Sequence, residues 1–148
     1  MTESLPVAVV VERVLPGPPE VVYDEWLDPE GMLEWMCPRP ARPIGIRLDP
    51  TVGGRFVIDV EDEGVELSIW GHYRELDRPR RLRFTWNCTT WARPDPGSEV
   101  TVTLEPRPGG RTLMSIRHEQ LPPDAVDGHR HGWALIASQL EPRLALES

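Results

Sequence analysis

From Ile44 to Glu119 the apolar residues of this chain fall at every second position, and a period of two means strands. Ile44, Ile46 and Leu48 form the first set, and Phe56, Ile58 and Val60 the second. Val65, Leu67, Ile69, Gly71 and Tyr73 come next, then Leu82, Phe84 and Trp86, then Val100, Val102 and Leu104. Thr112, Met114, Ile116 and His118 close the series. Turn-forming residues separate the runs. Val52-Gly53-Gly54-Arg55 reads as a tight turn or bulge, and Glu61-Asp62-Glu63-Gly64 as a hairpin loop. Asp77-Arg78-Pro79, Pro94 to Gly97 and Pro106 to Gly110 supply the rest. Six strands with one apolar and one polar face describe a meandering antiparallel sheet covered on one side.

The flanking segments supply the cover. Residues 7–15 are rich in β-branched side chains and read as one more strand, stopped by Pro16-Gly17-Pro18-Pro19. Pro19 suits a helix start, with Glu20 in the first turn, and Val22 and Trp26 share one face. Asp28-Pro29 begins a second short helix carrying Met32, Leu33, Trp35 and Met36, which Cys37-Pro38-Arg39-Pro40 closes. Near the C-terminus, Asp124 is the expected N-cap of a long helix whose face holds Trp133, Ile136, Ala137, Leu140 and Leu144. Gly132 costs about 1 kcal/mol relative to alanine inside a helix, which suggests close approach to the sheet or to a ligand. Pro142 is expected to kink or fray the helix end. The order is strand, two short helices, six strands and one long helix. It predicts a single α+β domain over residues 1–148, with a curved sheet of about seven antiparallel strands wrapped around the C-terminal helix. A bowed sheet cannot lie flush on a straight helix. The expected result is an apolar cavity roofed by the short helices, and such pockets hold roughly 300–1,000 Å³.

Charge and composition narrow the function classes. The 148 residues include 16 basic ones, all arginine, against 24 acidic ones, for a net charge of −8. That balance argues against nucleic-acid binding. Arginine in place of lysine, together with 17 prolines, reads as codon bias. No apolar run approaches the ~20 residues of a membrane span, and the N-terminus lacks the basic region of a signal peptide. Cys37 and Cys88 are too few for a disulfide framework, so the expectation is a cytoplasmic protein with free thiols.

Four segments in register resemble the SRPBCC (START-like, helix-grip) superfamily, in the branch similar to the activator of heat-shock-protein-90 ATPase. The first runs from Pro18-Pro19-Glu20-Val21-Val22-Tyr23 through Asp28-Pro29-Glu30 to Trp35. The second is the double-glycine turn of Asp49 to Phe56. The third is the hairpin of Gly71-His72-Tyr73-Arg74-Glu75-Leu76 and Pro79 to Trp86. The last is His131-Gly132-Trp133 with Leu140. The family often carries two adjacent tryptophans where this chain has Trp35-Met36, a departure at the expected pocket entrance. The resemblance implies the helix-grip fold and a bacterial protein. It leaves function open among ligand carriers, cyclases and cochaperone domains.

Trp26, Trp35, Trp86 and Trp133 take inward positions, where core packing and an aromatic-lined pocket are both consistent with them. Trp70 and Trp91 fall on the outer face or in a loop, as a candidate contact surface. Trp35 and Met36 from the second helix are candidate ligand contacts. So are Phe56, Ile58, Leu67, Ile69, Tyr73, Phe84, Trp86, Val102, Met114, Ile116 and His118 from the strands, and Trp133 and Ala137 from the last helix. His118 reads first as a core histidine with satisfied hydrogen bonds. The alternative is an acid–base group paired with Tyr73, and those two are the weak catalytic candidates. No metal and no cofactor is expected. His129 and His131 are too close in sequence to share a helical face, and Gly53-Gly54 lacks the lysine and helix of a phosphate loop. The acidic residues around Glu61 to Glu66 read as a solvated hairpin tip. The leading expectation is an unidentified hydrophobic small molecule bound by a monomer or homodimer. A cyclase- or hydrolase-type enzyme comes second and a chaperone-interaction module third.

Overall fold

A computed structural model describes residues 8–147. Strand β1 (Val9–Pro16) leads to two short helices, α1 (Pro19–Glu25) and α2 (Pro29–Trp35). Six strands follow: β2 (Arg42–Leu48), β3 (Arg55–Asp62), β4 (Val65–Asp77), β5 (Arg81–Cys88), β6 (Ser98–Arg107) and β7 (Arg111–Glu119). After a single 3-10 turn at Pro123–Ala125 comes α3 (Val126–Glu147). The strands form one sheet in the order β1-β7-β6-β5-β4-β3-β2, every pair antiparallel. This curled half-barrel around a terminal helix is the expected helix-grip fold. Val7, the first residue of the expected opening strand, and the segment read for an export signal up to it lie outside the described residues. Among the described residues, no helix is long and apolar enough to cross a membrane.

Local chemistry explains the element boundaries. Pro19 and Pro29 each sit in the first helical turn, where the missing N–H removes nothing from the helix ladder. Glu63 and Gly64 both have positive φ, so two residues join β3 to β4. Glu61 and Asp62 therefore belong to the strand rather than to the expected loop. At the β2–β3 turn, a Cβ on Gly54 would lie 2.2 Å from the Asp49 carbonyl oxygen, so only glycine fits there.

Four expectations need correction. Ile44 points away from the core: Pro43 pairs with Val60 and Gly45 with Asp59, so Ile44 is the extra residue of a bulge. Val65 is exposed because it begins β4 at the hairpin tip, beyond the reach of α3. Asp124 lies inside the 3-10 turn and caps nothing with its side chain. Finally, of the two outcomes expected at Pro142, fraying does not occur, since α3 runs on through it to Glu147.

The space between sheet and α3 is largely filled by aromatic rings. Trp26 lies 5.0 Å from Trp35 and 6.2 Å from both Phe84 and Trp133. Trp133 in turn lies 5.0 Å from Trp86. The short helices plug this space rather than roof it, because Trp26 and Trp35 occupy the position of the expected void. A buried ion pair fastens them to α3. Arg143 Nε donates to Glu25 Oε1 at 2.6 Å, and Trp35 Nε1 donates to the same oxygen at 3.0 Å. Arg143 also meets Glu34 and Asp28.

Candidate functional site

One end of the grip stays open as an apolar cleft of about 340 Å³. Its floor is Ile69 of β4 and Trp86 of β5. One wall is the face of α3 that carries Gly128, His129, Gly132, Trp133 and Ile136, preceded by Ala125. The other wall is the Met36-Cys37-Pro38 segment after α2. Positions 128, 132 and 136 recur every four residues, so one helical stripe faces the opening. The two glycines keep that stripe low. A Cβ on Gly128 would meet nothing within 4 Å, and one on Gly132 would first touch the Pro38 ring at 3.4 Å.

The opposite wall is held by a clamp. Cys37 has a φ of 76°, an uncommon conformation for a residue with a side chain. Gln139 of α3 supports it. Its Nε2 donates to the carbonyls of Trp35 at 3.0 Å and Cys37 at 2.8 Å, while its Oε1 accepts from the Arg39 N–H at 3.1 Å. Burial, with the Asp62 carboxylate adding, pushes the Cys37 thiol up to about 12, so it is an apolar wall group and not a nucleophile.

Below Trp86 and Trp133 lies a closed polar chain. Trp133 Nε1 can only donate, and it donates to His118 Nδ1 at 3.0 Å. The neutral ring then carries its proton on Nε2, which donates to Ser98 Oγ at 2.7 Å. Ser98 Oγ passes its own proton to the Trp86 carbonyl at 2.6 Å. His118 is wholly buried, and desolvation, helped by His129, pushes its pKa down to about 2. Both ring nitrogens are engaged, so the ring orients Trp133 and Trp86 and offers no proton at neutral pH. The nearby His129 ring is 5.1 Å away and packs on Trp91 at 5.5 Å. Its Nδ1–H donates to the Ala125 carbonyl at 2.9 Å, and burial lowers its pKa.

The candidates named from sequence divide into groups. Met36, Ile69, Trp86 and Trp133 line the cleft. Phe56, Ile58, Tyr73 and Phe84, again with Met36, surround a separate inner chamber of about 20 Å³ under α1 and α2. Trp35, Val102, Met114, Ile116, His118 and Ala137 are buried in the core and line neither space. Leu67 is half-buried toward the β3–β4 surface. Tyr73 and His118 therefore do not share one space. Burial raises the Tyr73 hydroxyl, with the Asp49 carboxylate adding to it. Of the outer tryptophans, Trp70 donates to Asp95 at 2.8 Å, while Trp91 packs against the core beside His129. Sequence reasoning missed Cys37, Pro38, Ala125, Gly128, His129 and Ile136 as cleft residues, and Gln139 as the clamp. The stripe at 128, 132 and 136 was the available signal. No group of three or more His, Cys, Asp or Glu among the described residues is placed to hold a metal ion.

Residues 16–145 match the family model described as activator of Hsp90 ATPase homolog 1-like protein. The chain belongs to this family. Solved structures agree on the fold across almost the whole length. A protein of Nitrosomonas europaea shares 23% identity, with 95% of each chain covered and a TM-score of 0.80. A protein of Mesorhizobium loti shares 30% identity over 96% of this chain and 98% of its own, at 0.74. The AHSA1-like protein of Aeromonas hydrophila shares 22% over 95% and 94%, at 0.79. Among curated proteins, none matches significantly. Family membership accounts for the grip architecture, and the cleft residues of this member are those described above.

Proposed function

We propose that this family member binds a flat, apolar small molecule in the cleft between the first half of α3, strands β4 and β5, and the Met36–Pro38 wall. The observation that carries this reading is an opening of about 340 Å³ whose lining is almost entirely apolar. Large apolar concavities on a small domain are uncommon unless something fills them. Gly128 and Gly132 support it as well. Each weakens α3 by about 1 kcal/mol relative to alanine, and their common effect is to leave the cleft unfilled. The free, buried thiols of Cys37 and Cys88 fit a reducing compartment such as the cytoplasm.

Native mass spectrometry of freshly purified protein should show a co-purified small molecule. Independently, the neutral fluorophore N-phenyl-1-naphthylamine should brighten on binding, and Gly128→Leu should abolish the signal. Leucine suits a helix, and its side chain grows into open space, so loss of binding would not reflect misfolding. Absence of any signal, or brightening that survives Gly128→Leu, would refute the cleft as the site.

A further inference from the structure

The inner chamber under α1 and α2 shares one wall residue with the cleft, Met36. Met36 is buried, unbranched and flexible, the kind of side chain that repacks at little cost. The chamber's lining includes Trp26 and Tyr73 among otherwise apolar side chains. Trp26 Nε1 is the one buried side-chain nitrogen or oxygen without a hydrogen-bond partner among the described residues. An indole N–H can only donate, so what it lacks is an acceptor. Tyr73 carries the one strong acceptor among the other side chains that line the chamber, and its hydroxyl makes no hydrogen bond to this nitrogen. A buried donor left in this state is unusual, because it forfeits its hydration without replacement. A space of about 20 Å³ is enough for one water, which needs about 10–15 Å³. It is also enough for a single carbonyl oxygen.

We propose that the chamber behind Met36 is the polar end of the binding site, where Trp26 Nε1–H donates to a ligand oxygen, and that Met36 is the movable partition between chamber and cleft. The inference rests on the cleft reading and makes it more specific: the ligand is a flat apolar molecule with a hydrogen-bond acceptor, such as a ketone, at its leading edge. In the free protein one water satisfies the donor, and the ligand oxygen takes its place. The Trp35-Met36 sequence matters here, since a rigid indole at position 36 could not swing aside as a thioether can.

Fluorene and 9-fluorenone test this, being tricyclic molecules of nearly the same shape that differ by one ketone oxygen. Each would be titrated into the full chain labelled with 15N-tryptophan. The expected result is that both bind in the cleft, that only fluorenone moves the Trp26 indole N–H resonance downfield, and that fluorenone binds about three- to tenfold tighter, the range one hydrogen bond supplies. Trp26→Phe should equalise the two affinities while fluorene binding persists. The wild-type resonance needs no variant, so a Trp26→Phe chain that fails to fold leaves the test intact. Equal binding of both probes with the Trp26 resonance unmoved would overturn the subsite and leave the cleft standing. Binding of neither probe would overturn both.

Discussion

Trp133 and His118 are joined by a 3.0 Å hydrogen bond that runs from the indole nitrogen of α3 to the imidazole of β7, and it fixes the tautomer of the histidine. Burial, with His129 adding, keeps the native ring neutral, and the Trp133 donor on Nδ1 leaves the ring proton on Nε2. Its pKa lies near 2 in the fold, against 6.5 for a free side chain. Below about pH 6.5 the unfolded chain therefore takes up a proton that the native chain refuses. Stability is at its full value above that pH and falls as pH drops, by about 1.4 kcal/mol per unit for this one group. His129 acts in the same direction. Urea denaturation should show a loss of about 2–3 kcal/mol between pH 6.5 and roughly pH 4.5 from His118 alone. The His118 ring resonances should not titrate over that interval. A native His118 pKa near 6 would contradict this account.

Arg143 should be among the most sensitive positions outside the aromatic core. Glu25 is only 4% exposed, and Arg143 Nε holds it at 2.6 Å. Arg143→Met leaves a buried carboxylate with the Trp35 indole as its remaining donor, at a cost of about 3–5 kcal/mol. Glu25→Gln together with Arg143→Met should recover much of that, because no charge is then stranded. Urea midpoints of the single and double variants decide the matter.

The Gln139 clamp predicts a separation of binding from folding. Gln139→Leu removes the donors to the Trp35 and Cys37 carbonyls but leaves α3 intact. Its stability cost should be about 1–2 kcal/mol, while N-phenyl-1-naphthylamine binding weakens by considerably more than the fold does. Cys37 should also become reactive toward a thiol reagent under native conditions, whereas in the wild type it is almost unreactive near pH 8. Unchanged thiol reactivity would mean that the wall does not depend on Gln139.

Two glycines should respond in opposite ways to alanine. At Gly71 a Cβ would lie 1.9 Å from the Thr85 carbonyl oxygen and 2.7 Å from the Phe56 ring, so β4 and β5 would have to part. Gly71→Ala should cost about 3 kcal/mol or more. Gly128→Ala meets nothing and should add up to about 1 kcal/mol of stability. Thermal melts of the two variants give the comparison directly.

The period-two pattern determined the strand series, its inward face and the single sheet, because alternation along one strand depends only on local backbone geometry. Proline placement determined the starts of α1 and α2, and glycine and proline placement most of the turns, for the same reason. The local rule failed at Ile44, where a bulge inserted by pairing with β3 reversed the side chain. What the tertiary structure alone decided was which inward residues face empty space and which face one another. Trp133 and Trp86 come from segments far apart in sequence, and their 5.0 Å approach closes the middle of the grip and leaves the cleft at one end. Neither residue's own neighbours in the chain encode that distance. Filled and empty volume depend on side chains from several elements meeting in three dimensions, and Gln139, 102 residues from the Cys37 carbonyl it holds, is the plainest case.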